Sequence, residues 1–171
     1  MANPAYSAAL RMLGRRDHFR VELQNKLLRK GFGEAEIRSA VDRCSELGLL
    51  DDSNLARRFV ELRAATRGWG PRRLELELAK RGVDRTLAAE ASRLDSASLG
   101  EALATALRRT ELRSREGWWR LPERRARMVS SLIARGFEAA DAIAAVSELA
   151  TTRERENHAS DDQQGDPIGL S

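Results

Sequence analysis

The stretch "LELELAKRGV", residues 74–83, ends in a basic residue, a glycine and an apolar residue, and the chain repeats it twice in altered form. The other copies are "LQNKLLRKGF", residues 23–32, and "MVSSLIARGF", residues 128–137. Their glycines, Gly31, Gly82 and Gly136, are 51 and 54 residues apart. Eight residues before each glycine stands an apolar side chain (Leu23, Leu74, Met128), and four before it a leucine (Leu27, Leu78, Leu132). Both positions fall on one stripe of a helix. Lys30, Arg81 and Arg135 precede the glycines and suit the negative end of a helix. The apolar residue that follows fits a Schellman ending: the glycine turns left-handed and the next side chain folds back onto the helix. That pairs Phe32 with Leu27, Val83 with Leu78 and Phe137 with Leu132. Three occurrences at near-equal spacing predict a repeated helix-turn-helix unit.

Working outward, a second helix follows each glycine. Its first turn carries acids (Glu34 and Glu36; Asp84; Glu138 and Asp141), and an alanine lies nine residues after the glycine each time (Ala40, Ala91, Ala145). A further helix precedes each pair, over residues 5–14, 53–66 and 98–115. The expected fold is all-α: three tandem three-helix repeats, 1–50, 51–96 and 97–150, stacked into an elongated, curved array. Residues 151–171 lack apolar periodicity, are rich in polar residues, and are expected to form a disordered acidic tail.

Composition agrees with a helical chain. Charged residues make up 33% and aromatics 5% of the 171 residues. The net charge is +4, unevenly placed: two arginines against five acids leave residues 151–171 at −3, so residues 1–150 carry +7. A basic body favours acidic partners, nucleic acid or an acidic protein groove. The single cysteine, Cys44, forms no intrachain disulfide and reads as a small core residue in a reducing compartment. The opening "MANPAYSAALRMLGRR" lacks the apolar core of a secretory signal, and no run approaches the roughly 18 apolar residues of a membrane span. A cytoplasmic protein without membrane contact is expected.

Catalytic chemistry finds no foothold. His18 and His158 are the only histidines, and neither has metal-ligand spacing to the other or to Cys44, so no metal site is expected. Nucleophile elbows and phosphate-binding glycine loops are absent, and no catalytic residue or cofactor is expected. Asp51-Asp52 precedes a predicted helix start and reads as a cap rather than a metal or acid-base pair. Trp69, Trp118 and Trp119 could stack on bases or pack between repeats; packing is favoured for Trp69, and the other two stay open.

Arginine is the remaining signal. Arg57, Arg58, Arg63, Arg67, Arg72 and Arg73 crowd the central repeat, and Arg108, Arg109, Arg124 and Arg125 the third. In "RGWGPRR", residues 67–73, a helix start carries basic residues where its dipole prefers acids. Arg67, Arg72 and Arg73 are expected to converge there with free backbone N–H groups into a seat for phosphate or carboxylate. On that reading, glutamate in place of Arg72 and Arg73 would leave the helix intact or steadier.

"LRKGF" followed by "SELGLLDDSNLARRFVELRAATRGWGPRRLELELAKRGV" resembles the RecX family of bacterial regulators of the RecA recombinase. The resemblance is most specific over residues 9–93. It is carried by Gly31-Phe32, Gly48-Leu49-Leu50-Asp51-Asp52, Ala56, Phe59-Val60, Arg63, Gly70-Pro71-Arg72, Leu74, Leu78 and Gly82-Val83. Leu55 stands where the family usually has phenylalanine, and the third repeat agrees more loosely. The resemblance implies three three-helix repeats and a non-enzymatic protein, and a monomer is expected. It also implies binding within the groove of the RecA filament on single-stranded DNA, with direct contact to that DNA a further expectation, and a restraint on recombinase, ATPase and coprotease functions in DNA repair and the SOS response. Two other classes compete. A helix-turn-helix reader of duplex DNA is disfavoured by the acids in the first turns of its candidate recognition helices, which phosphates repel. A helical adaptor for another protein is the other.

Overall fold

Gly31, Gly82 and Gly136 adopt φ of 84°, 80° and 92°, the left-handed conformation that the sequence repeat demands. Each turn closes with the paired hydrogen bonds of a Schellman motif. The N–H groups of Phe32, Val83 and Phe137 donate to the carbonyls of Leu27, Leu78 and Leu132 at 3.4, 3.2 and 3.3 Å, and those of the glycines donate to Leu28, Ala79 and Ile133 at 2.9 Å. A fourth such ending, not seen in the repeat, occurs at Gly48: Leu49 N–H reaches the Cys44 carbonyl at 2.8 Å.

The computed structural model describes residues 3–163, and every regular element among them is helical. The first repeat comprises α1 (Pro4–Leu13), α2 (Arg20–Arg29) and α3 (Glu34–Glu46). The second comprises α4 (Asp52–Arg67), α5 (Pro71–Ala79) and α6 (Arg85–Ala91). The third comprises α7 (Ser96–Glu111), α8 (Pro122–Ala134) and α9 (Ala139–Gln163), with a single 3-10 turn at Trp118–Arg120 before α8. Asp51 caps α4 by accepting from Asn54 N–H at 2.9 Å, which supports the capping reading of the Asp51-Asp52 pair. Asp84 caps α6 and Asp95 caps α7 in the same way.

The stripe read from the decamers is the core. Leu23, Leu27, Leu74, Leu78, Met128 and Leu132 are all buried, each contributing roughly 1.5–3 kcal/mol of transfer free energy. In the helix after each glycine the positions that bury are six and ten residues on: Ile37 and Val41, Ala88 and Ser92, Ala142 and Val146. The alanines at nine are less regular, since Ala40 is buried whereas Ala91 and Ala145 are half-buried. Cys44 is fully buried, and burial pushes its thiol pKa up.

Two apolar clusters result. One belongs to the first repeat alone and centres on Leu23, Leu27, Val41 and Cys44. The other runs without a break through the second and third repeats, from Val60 and Leu74 to Trp118, Phe137 and Val146, and takes in Phe19 from the first. The expected tail needs correction in part: α9 continues past residue 150 to Gln163. Extending an existing helix needs no new nucleus, and Arg153 anchors the extension by gripping Glu111 of α7 at 2.7 and 3.0 Å. Residues 164–171 of that expected tail lie outside the described residues. No described helix is long and apolar enough to cross a membrane.

Candidate partner interface

Trp69, in the loop between α4 and α5, is half-buried between two guanidinium groups. Arg73 lies 4.9 Å and Arg63 5.8 Å from its ring centre. Arg63 also faces Phe59 at 5.5 Å, and Arg81 lies over Phe59 at 4.5 Å. The result is an alternating ladder, Arg81, Phe59, Arg63, Trp69, Arg73, built from one turn of α4 and both ends of α5. Cation-π contact of this kind stabilises by about 0.5–1 kcal/mol where exposed and more where water is excluded. It holds Arg63 Nε and Arg73 Nε, which are buried without a hydrogen-bond partner. Trp69 therefore packs, as favoured, and stacks on arginines.

Glu77 sets the charge at the lower end of this ladder. Its carboxylate takes Lys80 at 3.1 Å and Arg81 at 3.4 Å and lies 3.8 Å from Arg73. The Lys80 hydrogen bond, helped by Arg81 and opposed by burial, lowers its pKa. Beyond Arg81 the ladder opens into a cleft of about 740 Å³ between the first and second repeats. Phe19, Val21, Leu55 and Phe59 supply apolar surface there, and Arg16, Arg29, Arg63, Lys80 and Arg81 outnumber Asp17 and Glu22 around it. Such a cleft suits an acidic protein element with apolar side chains of its own.

The seat expected at the start of α5 is filled from within. Gly70 N–H donates to the Arg135 carbonyl at 2.8 Å and Arg72 N–H to the Gly136 carbonyl at 3.2 Å. The carbonyl end of α8 thus abuts the N–H end of α5, satisfying orphan groups of both and joining opposite dipole poles. Those donors are not free for an anion. Arg72 bonds Glu138 at 2.7 Å, and Arg73 reaches the Ala134 carbonyl at 3.5 Å. The basic helix start is compensated by the next repeat.

The other arginines singled out by sequence are scattered. Arg58 pairs with Asp17 across the first junction. Arg57 faces a separate hollow with Glu61, Glu90 and Asp95. Arg67 is exposed, and its carbonyl accepts from Arg135 Nη1 at 2.9 Å. Arg108 bonds Thr105 Oγ1 at 3.3 Å, and Arg109 is exposed beside it. Arg124 reaches the Glu116 carbonyl at 3.4 Å, and Arg125 is half-buried one residue on. The structure brings together Arg63 and Arg73 through Trp69, and it sets Arg109 near Arg73 through Arg135. It does not gather Arg57, Arg58, Arg108 or Arg125 with them. Sequence reasoning missed Arg81 and Arg135 as site residues. The basic residue before each repeat glycine is the sequence signal for both. Trp118 is buried, 2% exposed, and meets Trp119 edge-on at 6.2 Å, so Trp118 packs and does not stack on bases.

Comparison with known proteins follows the same plan. Residues 5–44 match the family model described as RecX, first three-helix domain, and residues 51–91 that described as RecX, second three-helix domain. A protein of Thermus thermophilus named "Regulatory protein RecX" is 42% identical over 137 residues, 80% of this chain and 86% of its own length. One of the same name from Prosthecochloris aestuarii is 33% identical over 148 residues, 86% of this chain and 94% of its own. Among solved structures, RecX from Lactobacillus salivarius superposes with a TM-score of 0.70 at 23% identity, over 86% of this chain and 95% of that one. That likeness is one of fold.

Proposed function

This chain belongs to the RecX family of regulatory proteins, and on that premise we propose that it binds the RecA filament on single-stranded DNA and restrains its recombinase, ATPase and coprotease activities. The observation that carries the reading is the 42% identity sustained over 80% of the chain. It acts as a non-enzymatic monomer in the cytoplasm, within DNA repair and the SOS response. The cleft between the first and second repeats supports the reading physically: it pairs an apolar floor with excess positive charge, as docking onto an acidic protein surface requires. Of the arginines selected by sequence, Arg63 lines this cleft and is therefore proposed as the central contact, with Arg58, Arg67, Arg72 and Arg73 at the margin.

Co-sedimentation with preformed RecA filaments, alongside RecA-dependent ATP hydrolysis on single-stranded DNA, tests this. The parent chain is expected to pellet with filaments and lower the ATPase rate, while hydrolysing neither nucleotide nor nucleic acid alone. Arg63→Ala with Arg81→Ala is expected to require about tenfold more protein for the same inhibition. An ATPase rate unchanged at saturating parent chain would overturn the assignment.

A further inference from the structure

The two end rungs of the aromatic ladder, Arg73 and Arg81, meet again behind it. Arg73 Nη2 lies 3.8 Å and Arg81 Nη1 3.4 Å from the Glu77 carboxylate, so Glu77 closes Arg81, Phe59, Arg63, Trp69 and Arg73 into a ring. Arg73, Glu77 and Arg81 follow at intervals of four along α5 and its closing turn, which sets them on one face. Lys80 Nζ adds a third cation at 3.1 Å, and Arg81 Nη1 also donates to the Glu77 main-chain carbonyl at 2.7 Å. The Glu77 side chain is 15% exposed, against 57% for Lys80 and 35% for Arg81. The carboxylate therefore lies behind the cations, and Lys80 and Arg81 stand in front of it on the wall of the cleft between the first and second repeats. Glu75, two residues earlier on the same helix, pairs with no cation among the described residues.

If charge alone counted, an acid at this cleft would work against an acidic partner, and removing it would tighten binding. The ring gives Glu77 a different part. Arg73 and Arg81 are each fixed on one side by an aromatic ring, at 4.9 and 4.5 Å, and on the other by this carboxylate. Long cationic side chains that are free must be ordered when a partner arrives, and that ordering subtracts from affinity; side chains already held lose little more. Without the carboxylate, three neighbouring cations would also repel one another. We infer that Glu77 is a positioning residue: it holds Lys80 and Arg81 in the geometry that an acidic partner meets, and through Arg81 and Phe59 it sets Arg63, without touching the partner itself. The inference rests on the reading of this cleft as the filament contact and names the residue that pre-organises it.

The test is inhibition of RecA-dependent ATP hydrolysis on single-stranded DNA by the full chain and its variants, with circular dichroism and a melting curve for each. Glu77→Gln is expected to need about fivefold more protein for half-inhibition, although its site gains positive charge. Glu77→Asp keeps the charge but is one methylene shorter, and a loss of about two- to threefold is expected; it carries the comparison if Glu77→Gln melts below the assay temperature. Glu75→Gln makes the same charge change without a paired cation and is expected to stay within about twofold of the parent. Because Glu77 acts through Arg81, adding Glu77→Gln to Arg81→Ala is expected to cost less than about twofold further, whereas a merely structural role would add in full. Inhibition by Glu77→Gln or Glu77→Asp at or below the parent's concentration, additive losses in the double variant, or Glu75→Gln falling as far as Glu77→Gln would each overturn the inference. Seen with an inhibiting parent, these outcomes overturn it alone; a parent chain that leaves the ATPase unchanged overturns the filament reading and this inference together.

Discussion

Between the first and second repeats the joining contacts each use at least one side chain. Phe19 enters the second core, Asp52 accepts the Arg20 N–H at 2.9 Å, Arg58 pairs with Asp17, and Val21 lies against Gly82. Between the second and third repeats they belong largely to backbone. A Cβ at Gly70 would sit 2.6 Å from the Gly136 carbonyl, one at Gly136 would sit 2.3 Å from Arg73 N, and one at Gly68 would sit 2.6 Å from Ala106 N. Side-chain contacts adjust by changing rotamer, whereas backbone against backbone does not. The continuous core on one side and the open cleft on the other accompany this difference: repeats two and three share one core, and a cleft separates the first repeat from the second.

The sharpest way to break this contrast is to add one methyl group. Gly136→Ala combines strained φ with collision against Arg73, and it is expected to destabilise by about 3 kcal/mol or more. Gly31→Ala has the same left-handed φ but open space around its Cβ and is expected to lose only about 1 kcal/mol. Chemical denaturation of both, compared with the parent, measures the difference. Equal losses would show that the turn alone matters and the backbone junction does not.

Acid is expected to loosen the first junction before the second. Burial pushes the Glu22 carboxyl up, but the hydrogen bond and charge of Arg16, followed by His18, outweigh it and bring it down to about 2. Because the folded value lies below the unfolded one, Glu22 stabilises fully above about pH 4.5, and that contribution is lost as pH falls towards 2. His18 adds a milder loss at higher pH. Burial, then the Arg16 charge, lowers its pKa below 6.5, so the fold favours neutral imidazole and stability declines once pH drops below 6.5. Together these are expected to remove about 1–2 kcal/mol by pH 3. Hydrogen exchange is expected to quicken in α1–α3 while α7–α9 stay protected, and Glu22→Gln is expected to flatten the lower window. Simultaneous exchange in all nine described helices would remove the distinction between junctions.

The smallest effect concerns the ion pair across the second junction. Arg72→Glu is expected to lower stability by about 0.5 kcal/mol, because it sets a second carboxylate against that of Glu138 at an exposed site. This reverses the sequence-based expectation that an acid would steady the helix start. Adding Glu138→Arg is expected to restore the melting temperature. A single variant that melts higher than the parent would show the dipole of α5 outweighing its neighbour.

Much of the fold was legible because its determinants are local. A left-handed glycine, an apolar residue behind it and a leucine four before it are all set within ten residues, and three copies made the pattern unmistakable at Gly31, Gly82 and Gly136. Asp51 and Asp84 likewise cap the helices they precede. The continuation of α9 was not legible, because Arg153 gains its partner from Glu111, 42 residues earlier. The arginines show the limit most plainly. Sequence alone determined that positive charge gathers in the second and third repeats and that a helix begins at "GPRR". Tertiary structure decided what each arginine meets: the carbonyl end of α8 closes the α5 start, Glu138 takes Arg72, Trp69 and Phe59 hold Arg63, Arg73 and Arg81, and Arg113, Arg124, Arg127 and Arg135 are left without carboxylates. Helix ends and turns depend on neighbours along the chain, whereas the fate of a long charged side chain depends on which surfaces packing brings within its reach.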